Sequence, residues 1–196
     1  YVLDAGDGNS DGFPDSGQSD VTTLLSNKGW FTLHMTDPPD VDGTSQLTNV
    51  ALATGVGSLA TNLGGFDTSL GGLSFTASFV GTEPVAFDLI APLRGSINDM
   101  SLIKQQCDAG SASDNWVVLD DEAEAFGADR VRFSFEIEPN GALDCDDDPT
   151  TLTDPSYVVS KVQKEVVPVP GLSGWMLGVL AGLAALLGAN LARRGR

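Results

Sequence analysis

Basic side chains are scarce in this chain: 10 Lys and Arg stand against 27 Asp and Glu in 196 residues, for a formal net charge of −17. Residues 1–170 are more acidic still, because Arg193, Arg194 and Arg196 sit together at the C-terminal end with no acid beside them. A surface of that sign repels phosphate backbones and argues against nucleic acid as a partner. Histidine is limited to His34, and cysteine to Cys107 and Cys145. These numbers exclude a two-histidine zinc site and any dithiol array. There is no Asn-x-Ser/Thr acceptor for N-glycosylation. Gly55-Val56-Gly57-Ser58-Leu59-Ala60 imitates a dinucleotide fingerprint, but Gly64-Gly65 interrupts the helix that would receive a pyrophosphate. A lone histidine between Leu33 and Met35, and carboxylates spread along the whole chain, give catalysis little to use. The chain therefore reads as a non-enzymatic protein.

What the chain has is aspartate, β-alternation and an apolar tail. Hydrophobic residues make up 41%, enough for one packed core. Asp outnumbers Glu by more than three to one, a bias that suits cation-binding loops, a saline habitat, or both. Period-two alternation places Leu73, Phe75, Ala77 and Phe79 on one face and Ser74, Thr76 and Ser78 on the other. Val85, Phe87 and Leu89 continue the pattern, and Val131, Phe133, Phe135 and Ile137 give the clearest strand. Further strands are expected over 29–35, 47–53, 116–119 and 157–162. Pro139-Asn140-Gly141 predicts a hairpin into Ala142-Leu143, and Gly64-Gly65 and Gly71-Gly72 read as loops. Outside the tail no helical period emerges. The expected fold is mainly β: an antiparallel β-sandwich ectodomain over residues 21–165, preceded by an acidic loop over 1–20 and followed by one C-terminal transmembrane α-helix within 166–196.

No charge interrupts residues 166–192. Pro168 and Pro170 keep the start of that run extended. A helix over 172–192 spans roughly 31 Å at ~1.5 Å per residue, the thickness of a bilayer core. Trp175 marks one interface and the terminal arginines the other, so the arginines are expected in the cytoplasm and residues 1–170 outside it. Gly174, Gly178 and Gly182 repeat every four residues, a stripe of small residues suited to helix packing. Through it the chain is expected to self-associate or to join a larger membrane protein complex.

Two stretches resemble known families. Val169-Pro170-Gly171-Leu172-Ser173-Gly174-Trp175, followed by an apolar segment and arginines, is similar to the IPTL-CTERM sorting tail of exported surface proteins of Gram-negative bacteria. Pro170, Leu172, Ser173 and Trp175 match its opening, while Val169 and Gly171 depart from it. The resemblance implies a sorting signal, here expected to be kept as an anchor. Gly72-Leu73-Ser74-Phe75-Thr76, the 85–89 strand, Trp116, and the 131–137 strand leading into Asp144-Cys145-Asp146-Asp147-Asp148 resemble the choice-of-anchor U domain. That family accompanies sorting tails and implies no enzymatic activity.

Tyr1 is read as a mature end left by signal-peptide removal. In an exported protein Cys107 and Cys145 are expected to pair, which chain entropy values at roughly 4 kcal/mol. Asp7-Gly8-Asn9-Ser10-Asp11-Gly12-Phe13-Pro14-Asp15 fits the start of a calcium loop. Asp7, Asn9 and Asp11 supply side-chain oxygens at alternate positions, Gly12 allows the turn, and Phe13 and Asp15 hold the seventh and ninth positions. Gln18 stands where an EF-hand has a bidentate Glu, so the loop resembles the thrombospondin type 3 and dockerin style. Ca2+ is the expected cofactor. Two functions follow: an exported, membrane-anchored structural or accessory subunit in the periplasm or at the cell surface, or a calcium-stabilised adhesion or carbohydrate-binding module.

Overall fold

A computed structural model of the chain describes residues 6–37, 45–53, 66–108, 111–119 and 123–161. In chain order its strands are β1 (Val21–Ser26), β2 (Gly29–Asp37), β3 (Gln46–Ala53), β4 (Phe66–Ser78), β5 (Val85–Pro92), β6 (Met100–Asp108), β7 (Ser111–Leu119), β8 (Ala123–Phe126), β9 (Arg130–Ile137) and β10 (Thr151–Lys161). They form two five-stranded sheets, ordered β1-β2-β5-β9-β8 and β3-β4-β10-β6-β7. Every pairing in both sheets is antiparallel.

Alternation decides which side chains face inward. Phe31, Leu33 and Met35 of β2, Val85, Phe87 and Leu89 of β5, and Val131, Phe133, Phe135 and Ile137 of β9 are buried on one face of the first sheet. Leu73, Phe75 and Ala77 of β4, Leu102 of β6, and Leu152 and Val158 of β10 answer them from the second, and together they make one core. Phe75 bridges the sheets, its ring centroid 5.1 Å from that of Phe87, which lies 5.5 Å from Phe135. This is the sandwich arrangement that the alternation implied. The other face of the second sheet carries a smaller cluster of Ile103, Tyr157 and Val159, with Trp116 set edge-on to Tyr157.

Three sequence expectations change. Gly71-Gly72 is not a loop but lies inside β4, where Gly72 pairs with Tyr157. A Cβ at Gly72 would fall on the carbonyl oxygen of Ser156 and 2.7 Å from the Tyr157 Cα, so β4 and β10 come together there because no side chain intervenes. The hairpin predicted after Pro139-Asn140-Gly141 does not form. The Gly141 N–H donates back to the Glu138 carbonyl oxygen (2.8 Å), Asn140 takes a left-handed φ of 54°, and the chain crosses from β9 in one sheet to β10 in the other. Strands β1, β6 and β8 are not marked by the alternation of the sequence. Residues 6–20 belong to the same compact unit as the sheets. Among the described residues no helix is long and apolar enough to cross a membrane. The segment 172–192, with Gly174, Gly178 and Gly182, lies outside them.

The inter-sheet phenylalanines set a stability prediction. Phe87→Ala is expected to cost roughly 3–5 kcal/mol in urea unfolding, since it leaves a cavity between two rings. Phe13→Ala, at a side chain 66% exposed, should stay within about 0.5 kcal/mol.

Candidate functional site

The N-terminal loop is held by its own carboxylates. Asp7 accepts the N–H of Asp11 (2.9 Å) on one oxygen and that of Gly12 (2.9 Å) on the other. Asp11 accepts the Phe13 N–H at 2.8 Å and side-chain donors from Asn9 (3.0 Å) and Gln18 (2.5 Å). Gly12, the sixth position, has the positive φ of 93° that the turn requires. Asp7, Asn9 and Asp11 are thus brought together. Asp15 is not with them. Buried at 3% exposure, it receives the Gly8 N–H on both oxygens at 3.0 Å and bonds the Thr23 hydroxyl, which meets Thr32 at 2.7 Å across the β1–β2 pair. Arg130 on β9 donates to the Gly8 carbonyl oxygen at 3.0 Å. The ninth-position carboxylate therefore docks the loop onto the first sheet, and the Phe13 side chain points into solvent. Among the described residues no three His, Cys, Asp or Glu side chains converge as a metal cage.

The crossing between β9 and β10 is a second acidic loop. Asp144, 1% exposed, accepts N–H groups from Asn140 (2.8 Å), Asp146 (3.2 Å) and Thr153 (3.1 Å). Cys145 is disulfide-bonded to Cys107 of β6, with Cα atoms 5.0 Å apart and a sequence separation of 38. The flanking backbone secures the same junction: the Cys107 N–H donates to Ala142 and the Cys145 N–H to Thr153, both at 2.8 Å. The expected pairing is present.

The least expected group lies in the core. Lys104 of β6 projects inward, and its side chain and that of Asp154 on β10 are both 0% exposed. The Lys104 Nζ donates to Asp154 Oδ2 and, at 3.2 Å, to Ser156 Oγ, which itself donates to Asp154 Oδ2 at 2.8 Å. The Phe135 ring centroid is 4.0 Å from Nζ. Asp154 Oδ1 is buried without a hydrogen-bond partner. Stripping two ions of water costs several kcal/mol each, and attraction across the pair recovers it only with good geometry. Burial accordingly holds the Lys104 pKa below its ordinary value, opposed by the Asp154 carboxylate. Sequence reasoning missed this trio. The available signal was phase: Lys104 continues the inward series Met100, Leu102, and Asp154 and Ser156 lie between inward Leu152 and Val158.

His34 stands on the surface of β2 with Nε2 4.0 Å from an Asp20 oxygen. Arg132 reaches Glu124 at 2.5 Å and Asp88 at 3.8 Å, an exposed ladder across β5, β9 and β8 worth little to stability. No protein-family model matches the chain, and neither does any curated protein or solved structure.

The loop carboxylates fall into two classes of acid behaviour. The Phe13 N–H and Gln18 amide hold the Asp11 carboxyl below the ordinary 3.8, and the Thr150 hydroxyl and N–H do the same for Asp148. Burial pushes Asp144 above that value, although the N–H groups of Asn140, Thr153 and Asp146 pull the other way. A depressed carboxyl stabilises the fold above the unfolded pKa and loses that contribution as pH falls through the folded one. A raised carboxyl does the reverse, its contribution being complete below 3.8 and lost as pH rises through the folded value. Carboxyl 13C titration should place the Asp11 and Asp148 midpoints below 3.8 and that of Asp144 above it. An Asp144 midpoint below that of Asp11 would contradict the burial argument.

Proposed function

We propose that the chain is a non-enzymatic, exported structural or accessory subunit of a Gram-negative cell envelope, tethered by residues 172–192 and assembling through the Gly174, Gly178, Gly182 stripe. The uncharged run of residues 166–192 ending in an arginine cluster carries this reading. The similarity of residues 169–175 to the IPTL-CTERM opening and the paired Cys107 and Cys145 support it, because a disulfide persists in oxidising compartments outside the cytoplasm. In this arrangement the β-domain is periplasmic or extracellular and the arginines cytoplasmic.

The alternative, a calcium-stabilised adhesion or carbohydrate-binding module, is favoured by one feature: Asp7, Asn9 and Asp11 gather around a left-handed Gly12. In that reading these three residues and the Phe13 carbonyl supply oxygens to a hard cation. Asp15 would contribute only by leaving its buried bonds to Gly8 and Thr23, a cost that weakens the fit.

Topology, assembly and metal are separable by experiment. Protease added to intact spheroplasts should digest residues 1–170 and spare the tail, whereas protection of the whole chain overturns the orientation. Gly178→Ile should keep insertion, since Ile favours the bilayer, yet release the subunit from its assembly, with Gly188→Ile on another face as control. Equal recovery of both variants with the assembly reduces the stripe to composition. Calcium should raise the melting temperature of the parent but not of Asp7→Ala/Asp11→Ala, by mass action on the native state. A parent indifferent to calcium removes the alternative.

A further inference from the structure

We infer that Lys104 and Asp154 condense within the folded domain to an intramolecular amide, a covalent bond between β6 and β10. The geometry supplies both reacting groups and little else. Nζ lies against the Asp154 carboxylate, neither side chain reaches solvent, and the Phe135 ring closes one side at 4.0 Å from Nζ. Their strands are already paired, with Lys104 opposite Ser156, so the fold brings amine and carboxyl together without further motion. This is the proximity that turns a slow bimolecular acylation into an intramolecular one.

The chemistry balances within the trio. A buried site disfavours the ammonium and favours the free amine at Lys104, whose released proton stays within the trio. Burial lowers the Lys104 pKa in that same direction. The Nζ lone pair then attacks Asp154 Cγ, forming the N–C bond. The Cγ–Oδ2 bond breaks, and Oδ2 leaves as water with two of the three ammonium protons. The Ser156 hydroxyl, 3.2 Å from Nζ and 2.8 Å from Oδ2, touches both the donor and the departing oxygen and is placed to relay the proton. Oδ1 remains as the amide oxygen. It is the atom that now stands buried without a partner, and it no longer carries charge once the amide forms. No oxidant, metal or activated acyl donor enters the balance.

Mass spectrometry of the full chain tests this directly. Reduced and alkylated protein should be lighter by one water than its sequence requires. Trypsin should fail after Lys104 and yield a branched species joining residues 95–130 to 133–161. The disulfide links the same two peptides, so reduction must precede digestion. Lys104→Met should restore the full mass and separate the peptides. Cleavage after Lys104 at full mass in the folded parent overturns the proposal, as does a water deficit that persists in Lys104→Met. The parent's own peptide map decides even if the variant fails to fold.

Discussion

Both sheets turn their apolar sides to a single core, so a charge on an inward face must be answered within that core and not by water. The requirement falls on Lys104. Its neighbours along β6, Met100 and Leu102, are ordinary core side chains, and Phe135 reaches it from the opposite sheet. Asp154 and Ser156 occupy consecutive inward positions of β10 and supply the acceptors. Neither strand is conventional alone: each places a polar series where its pattern calls for apolar side chains. Together they form a closed polar group inside the core, which ties the register of β6 to β10 because a shift would part Lys104 from both of its partners. Before the two side chains join, removing one partner alone would leave an uncompensated buried charge, at a cost of about 3–5 kcal/mol.

The aspartate excess has a second explanation in the loops. Asp11, Asp67, Asp144, Asp146 and Asp148 each accept the N–H two residues ahead, at distances from 2.8 to 3.2 Å. The short aspartate side chain reaches its own backbone in this way, whereas glutamate is one methylene too long for the same ring. Successive Asp144, Asp146 and Asp148 turn the crossing between sheets into a chain of such bonds, and they do it without secondary structure. Part of the net charge thus arises where backbone donors need acceptors. For these five residues the backbone bonds are reason enough for aspartate.

The strong alternations were legible because their two faces differ in kind: β2, β5 and β9 appear close to where the sequence places them. β6 was not, since Lys104 and Gln106 interrupt its apolar series, and the pattern is understood only after Asp154 is known to face Lys104. Pro139-Asn140-Gly141 gives a true turn, yet local turn chemistry does not reveal that the next strand lies in the other sheet. Gly71-Gly72 misleads for a related reason: two glycines signal a loop locally, while in the fold they allow β4 to approach the Ser156 backbone. In the N-terminal loop, Asp7, Asn9 and Asp11 could be grouped from spacing. The inward rotation of Asp15 could not, because its side-chain partner Thr23 comes from β1, a strand that the pattern does not identify.

Under the proposed tether, the position of β10 sets how the domain would carry load. It is the last strand before residues 166–192, and it lies between β4 and β6 rather than at an edge. Tension applied through a tethered tail would enter the domain at Lys161, where β10 pairs with Phe66 of β4. An edge strand would peel away one ladder bond at a time, but a central strand must break ladders on both sides. Two ties lie further along that same path: Lys104 with Asp154 in the core, then Cys107 with Cys145 just before β10 begins. Both tie β6 to the segment that would bear the load. A domain that only had to remain folded could place such ties anywhere. Their concentration on the strand leading to the tail suits a domain held by that end.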